Sequence, residues 1–293
     1  MDTYSMTQVE TLTGINAHTL RIWERRYDIL KAHRSETNIR YYTDDQLKKL
    51  LNISILTKNG FRISKINNMQ DAEIQNNVIK ILNTSNDTNS EEIYALTAAM
   101  VDYDEESFNL IYQRSILRKG VLHTVTHLIY PFLNHVGVLW GTNKAIPSQE
   151  HFMSNLIRQK ILSAIDMVQL PLKSNPSALL FLMEGEDHEL GLLLSQFIIK
   201  DFGWNCIYLG QRTPIENIQD VLLKTNAKLL LTMLTIPRNQ HFTAYFIKTI
   251  KQYNMPLLFA GNPSFAEDFK NEPMFNYLEN PQQLIAYLSN TTS

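Results

Sequence analysis

The residues best suited to chemistry lie at Glu186-Asp187-His188-Glu189-Leu190-Gly191, directly after the apolar run Ala178-Leu179-Leu180-Phe181-Leu182-Met183. This spacing places an imidazole in the loop leaving a predicted buried strand, where an open parallel sheet presents its ligands. A histidine there can ligate a metal through one ring nitrogen while a carboxylate holds the other. Glu186, two residues upstream, is the carboxylate that can do so. Gly191 lets the backbone approach something flat or bulky. His123 and His127 stand four apart on a predicted helix and could also share a metal, but no third ligand accompanies them. Cys206 is the only cysteine. That excludes a cysteine-cluster zinc site and an internal disulfide framework, and it suits a reducing compartment.

A second group of residues suits a polyanion. His18, Thr19, Arg21, Arg25 and Arg26 share one short predicted helix, and Arg34, Arg40 and Tyr42 follow on two short extended pieces. The net charge of -2 conceals a division, with residues 1–66 at +4 and the remainder at -6. A basic head on an acidic body suggests a nucleic-acid partner for the head. Arginine in the major groove reads guanine edges, with threonine or histidine assisting. A basic, aromatic wing suits phosphates.

The elements that position these residues read as three bodies. Ser5-Met6-Thr7-Gln8 opens a first helix with Val9 and Leu12 inward, Gly14 turns the chain, and a second helix starts near Asn16 with Leu20, Ile22 and Trp23 as its apolar set. Trp23 is read as core. Helix, tight turn and arginine-bearing helix form a helix-turn-helix pattern. Thr43 then caps a helix carrying Leu47, Leu50 and Leu51. Residues 71–90 are polar and read as a linker, ending in Asn83-Thr84-Ser85-Asn86-Asp87-Thr88-Asn89-Ser90, with a capping box at Thr88 and Glu91. Helical periodicity follows over 91–172, including one helix from about Gly120 to Gly141 and another from Pro147, which predicts a four-helix bundle. From 173 to 293, strand-like runs at 178–183, 206–209, 229–232 and 257–260 alternate with amphipathic helices, the pattern of a doubly wound, Rossmann-like parallel α/β sheet. With 44% hydrophobic and 19% charged residues the chain is globular, and its 293 residues allow two or three domains. Neither a signal peptide nor an apolar run long enough for a membrane span is visible, so a soluble, cytoplasmic protein is expected.

Residues Thr19-Leu20-Arg21-Ile22-Trp23-Glu24-Arg25-Arg26-Tyr27, then Arg40-Tyr41-Tyr42 and an aspartate-rich helix cap, resemble the MerR family over about residues 3–70. The resemblance implies a winged helix-turn-helix binding near-palindromic, double-stranded operator DNA as a homodimer or higher oligomer, a dimer or tetramer. Trp140, nine intervening residues, then Glu150-His151 resembles the spacing in CarH-like photoreceptors, where the trio lies over the upper face of bound adenosylcobalamin. His188 and Gly191, then Thr232-Met233-Leu234, then Ala260-Gly261 resemble the cobalamin-binding fold shared with methionine synthase. There the pattern is Asp-x-His-x-x-Gly, Ser-x-Leu and a glycine pair. The resemblance implies that His188 is the lower ligand of cobalt, that Glu186 and Asp187 flank it, and that Gly191, Thr232, Leu234 and Gly261 line the path of the displaced nucleotide tail. Glu186 for aspartate and Thr232 for serine preserve the chemistry. Ala260 in place of glycine adds a methyl where the tail runs.

The implied protein is a regulator, not an enzyme: a repressor in the dark, released from DNA when light breaks the cobalt–carbon bond. Two alternatives are a MerR-type regulator whose corrinoid domain is degenerate or insensitive to light, and a corrinoid module for methyl transfer or a mutase rearrangement. The second lacks room for a substrate domain and leaves the basic head unexplained.

Overall fold

The computed structural model describes residues 3–27, 30–35, 37–84, 89–140, 147–225, 227–236 and 238–291, with the side chains of 82–84, 89 and 138–140 outside the description. The chain divides into two compact units, Met1–Leu156 and Ile157–Ser293.

The first unit opens with strand β1 (Thr3–Ser5), helix α1 (Met6–Thr13) and helix α2 (Ala17–Arg26). Ser5 and Gln8 close a reciprocal capping box at the start of α1, and Gly14 ends that helix in the left-handed region at φ 67°. Asn16 caps α2 by accepting from the Thr19 N–H. Such a cap stabilises a helix by about 1 kcal/mol. Strands β2 (His33–Arg34) and β3 (Arg40–Thr43) form the wing, and β1 pairs with β3 antiparallel, Tyr4 opposite Tyr42. Helix α3 (Asp44–Lys58) starts at a second capping box, Thr43 with Gln46, and a short α4 (Ile63–Ile66) follows.

Residues 71–84, expected within a linker, form helix α5 (Asp71–Thr84) instead. Its Ile74 and Val78 are buried in the same core as Leu47, Leu50 and Leu51. Polar composition masked this helix, in which Asp71, Glu73, Gln75, Asn76, Asn77 and Lys80 are interspersed with the buried Ile74 and Val78. Thr88 of the expected capping box lies outside the described residues.

Helices α6 (Asn89–Val101), α7 (Glu105–Lys119), the continuous run of α8 (Val121–Thr124), a π-helical segment Val125–Ile129 and α9 (Tyr130–Trp140), and α10 (Pro147–Met167) are the four expected bundle helices. The unit boundary at Leu156/Ile157 falls inside α10, whereas the expected boundary lay after 172. Head and bundle helices share one core: Tyr94 and Val101 of α6 are buried with Val9, Leu12 and Leu56.

The second unit contains β4 (Ser177–Met183), α11 (Glu189–Asp201), β5 (Asn205–Thr213), a 3-10 turn Ile215–Asn217, α12 (Ile218–Thr225), β6 (Leu229–Leu234), α13 (Gln240–Lys251), β7 (Leu257–Gly261), α14 (Ser264–Asp268), β8 (Phe275–Tyr277) and α15 (Pro281–Thr291). All four expected strands are present, and β8 is a fifth. The sheet is parallel throughout, in the order β5-β4-β6-β7-β8. One face packs Leu179, Phe181, Leu230, Leu234 and Phe259 against Phe246 and Ile250 of α13 and Phe265 of α14. Helix α11 lies against β4, β5 and β6 and beside α15. Helices on both faces account for the nearly continuous apolar strands.

Candidate functional site

Strand order fixes where a ligand can bind. The chain leaves β4 and crosses to β5 on one side, then returns to β6 on the other side of β4. The loops after β4 and β6 therefore diverge and open a crevice at the carboxyl ends of the strands. Glu186 and His188 lie in the first loop, and Thr235 opens the second.

These three side chains form one cluster. The Glu186 carboxylate is buried, 2% exposed, while the His188 ring beside it is 63% exposed. His188 Nδ1 lies 2.6 Å from Glu186 Oε1. The Thr235 hydroxyl donates to Glu186 Oε1 at 2.7 Å, and the Thr235 N–H donates to Oε2 at 2.8 Å. Burial works against ionisation of Glu186, yet the hydrogen bonds from His188 and Thr235 outweigh it and bring the carboxyl down to about 2. The carboxylate is thus ionised at neutral pH and holds the proton of the imidazole on Nδ1, which leaves Nε2 as the basic nitrogen. A fixed tautomer, an exposed ring and a buried carboxylate behind it are what a metal-ligating histidine needs.

The other residues expected at this site divide. Asp187 pairs with Arg212, Oδ1 to Nε 3.7 Å. A Cβ on Gly191 would lie 3.1 Å from Met233 Sδ, so α11 approaches β6 closely there. Gly261 has φ +121°, and a Cβ on it would lie 2.4 Å from the Leu234 carbonyl oxygen. Only glycine fits that position. Thr232 and Leu234 are buried in the sheet, and the Thr232 hydroxyl donates to the Met233 carbonyl at 3.5 Å. The hydroxyl that meets Glu186 is Thr235's, three residues further on. Thr235 was missed because residue spacing does not reveal that β4 and β6 are neighbours. Glu189 was missed too: its carboxylate meets Arg158 at 3.2 Å and accepts from the Tyr208 hydroxyl at 3.1 Å, anchoring the start of α11 to α10. Burial pushes the Cys206 thiol up to about 12, so it offers no thiolate at neutral pH.

In the first unit, Glu150 and His151 lie in the opening turn of α10, Nδ1 to Oε2 3.4 Å apart. Ser154 donates to Glu150 Oε1 at 3.1 Å. Trp140 ends α9, and its side chain lies outside the described residues. His123 and His127 stack at 4.2 Å between ring centroids. Among the described residues no cluster of three or more metal-ligating side chains occurs.

On the head, His18, Arg21, Arg25 and Arg26 of α2 and Arg34 of the wing are exposed, and Thr19 is half-buried with its hydroxyl on Asn16 Oδ1 at 2.9 Å. Arg40 is half-buried and bonded to Glu24 at 3.1 Å. Tyr42, expected at the nucleic-acid surface, is instead core, 2% exposed. Strand alternation turns it inward opposite Tyr4, and the half-buried Tyr41 stacks on exposed His33 with centroids 5.4 Å apart. Trp23 is half-buried and packs against the head core, as expected.

Residues 4–73 match the family model described as "MerR HTH family regulatory protein", and residues 93–162 match the one described as "B12 binding domain". The HTH-type transcriptional repressor CarH of Myxococcus xanthus is 26% identical over 229 residues, 75% of each chain. The HTH-type transcriptional repressor CarA of the same organism is 27% identical over 213 residues, 72% of this chain and 69% of that one. The HTH-type transcriptional regulator MlrA of Escherichia coli (strain K12) is 32% identical over 79 residues, 26% of this chain and 32% of that one. The monomethylamine corrinoid protein of Methanosarcina barkeri superposes with a TM-score of 0.54 at 18% identity, over 69% of this chain and 99% of that one, and so shares the fold. This chain joins a MerR-type helix-turn-helix head to a B12-binding domain. It is a DNA-binding transcriptional regulator rather than an enzyme, similar in make-up to CarH and CarA. Among the described residues no helix is long and apolar enough to cross a membrane.

Proposed function

We propose that this protein is a cytoplasmic repressor that senses light through adenosylcobalamin and binds operator DNA as a dimer or tetramer in the dark. The observation that carries the reading is the Glu186–His188–Thr235 cluster at the switch point of the parallel sheet. His188 would hold the cobalt through Nε2. Glu186 fixes the ring, and Thr235 fixes Glu186. The nucleotide tail would run along this edge of the sheet, near Gly191, Thr232, Leu234 and Gly261. Trp140, Glu150 and His151 would contact the bound group. When bound, adenosylcobalamin supplies a cobalt–carbon bond that light can break. A change in what Trp140, Glu150 and His151 contact would then change the setting of the bundle, and a two-state element biased by ligand contacts is how such a switch acts. Linking several heads in one oligomer strengthens operator binding without any new contact to DNA.

Ala260 supports a second reading, in which the corrinoid domain is degenerate or insensitive to light. Its methyl stands beside Gly261, opposite Met233 in the sheet.

The test is retention of the cofactor. Purified wild-type protein mixed with adenosylcobalamin in darkness should carry it through gel filtration. His188→Ala should weaken retention by at least about tenfold, since loss even of an outer-shell partner commonly costs 10–100-fold in metal affinity. Equal retention by the variant removes His188 as ligand.

A further inference from the structure

The residue immediately before the Glu150–His151 pair is tied to the reading head. Gln149 is 2% exposed. Its Nε2 donates to the Val101 carbonyl at 3.2 Å and lies 3.3 Å from Asp44 Oδ1. Its Oε1 lies 3.0 Å from the Tyr4 hydroxyl, whose single proton also has Asp44 Oδ1 within 2.9 Å. This amide has one workable orientation, because turning it over would set Oε1 against two acceptors. A polar junction closed by a buried amide with one workable orientation holds its elements in a single arrangement.

Val101 ends the bundle helix α6, and the other two partners belong to the apparatus that presents the wing. Tyr4 sits on β1 opposite Tyr42 of β3, the strand that also carries Arg40. Asp44 is the first residue of α3, directly after the cap Thr43. The neighbours of Gln149 on α10 are anchored as well, Ser148 by the Tyr103 hydroxyl at 2.7 Å and Phe152 by the Tyr103 ring at 5.4 Å. Glu150 and His151 lie between these anchors, with side chains 33% and 71% exposed. A turn of α10 that shifts to follow Glu150 or His151 moves Gln149, and the Tyr4–Asp44 pair then loses its amide.

We propose that the Tyr4–Gln149–Asp44 junction is a latch that sets the wing according to the position of the ligand-facing turn of α10. The latch itself is a property of the first unit. Its control by a corrinoid rests on the function proposed above.

The test uses the full chain as wild type, Gln149→Met and Tyr4→Phe, each first shown to melt and elute as the wild type does. Hydrogen exchange at the Arg40–Thr43 amides, measured without corrinoid, should be faster in both variants. Affinity for a duplex selected by the wild-type protein from a random pool is then compared with and without adenosylcobalamin in darkness. The wild-type ratio should be about fivefold or more, within the usual range of allosteric coupling. In both variants it should fall toward one while cofactor uptake persists. Unchanged exchange at the wing overturns the latch, and so does faster exchange with an undiminished ratio. If the wild type takes up no corrinoid, the proposed function fails, and the exchange measurement alone still decides whether the latch exists.

Discussion

At the scale of single residues, the Glu186 carboxylate is the group at this site whose ionisation the fold has shifted. Its carboxyl sits at about 2 in the folded chain against an ordinary 4.5, because donors from His188 and Thr235 outweigh burial. A carboxyl lowered by folding contributes stability that is complete above the ordinary value and is lost as pH falls through the folded one. That window runs from about 4.5 down to about 2, and the contribution amounts to roughly 3 kcal/mol. Glu186→Gln should therefore lower stability at pH 7 and flatten its decline across that window, read from urea unfolding at several pH values. A variant as stable as wild type at pH 7, with the same acid profile, would remove the special role of this carboxylate. The Glu186–His188 pairing was legible in the sequence because two residues of separation in a loop bring side chains together. Thr235 was not legible, since its place beside Glu186 depends on the order of strands in the sheet.

Among the elements, the reading head shows which basic residues are available to DNA. Arg34 is exposed on the wing, whereas Arg40 is engaged by Glu24. Arg34→Ala should weaken binding about equally for all sequences and make the salt dependence shallower by about one counterion, as loss of a phosphate contact does. Arg21→Ala, on the exposed face of α2, should instead relax discrimination at one base pair, by about 1–3 kcal/mol. Binding isotherms at several salt concentrations on matched and mismatched duplexes separate the two. Equal effects of both variants on slope and specificity would contradict this assignment of wing and helix. The helix-turn-helix was legible from Ser5, Gly14, Asn16 and Thr43, whose cap and turn chemistry is local. The inward turn of Tyr42 was not, because the register of β3 is set by its pairing with β1, forty residues away in sequence.

For the whole molecule, boundaries drawn from composition place a spacer between head and bundle, yet α5 buries Ile74 and Val78 in the head core, and α6 joins the same core through Tyr94 and Val101. Composition cannot show this, because a helix needs only a narrow apolar stripe to dock. A head that shares a core with the bundle gives a change in the bundle a direct mechanical route to the wing. The parallel sheet was legible from its strand runs, apart from β8, whose three residues are too short to show a pattern. Control of DNA binding by the corrinoid can be read on the full chain loaded with adenosylcobalamin in darkness. Affinity for its selected duplex and molecular mass are measured before and after a pulse of green light, with the absorbance spectrum recorded to follow photolysis. Affinity should fall by about fivefold or more, together with a smaller assembly. Photolysis of the bound cofactor with affinity and mass unchanged would contradict that control.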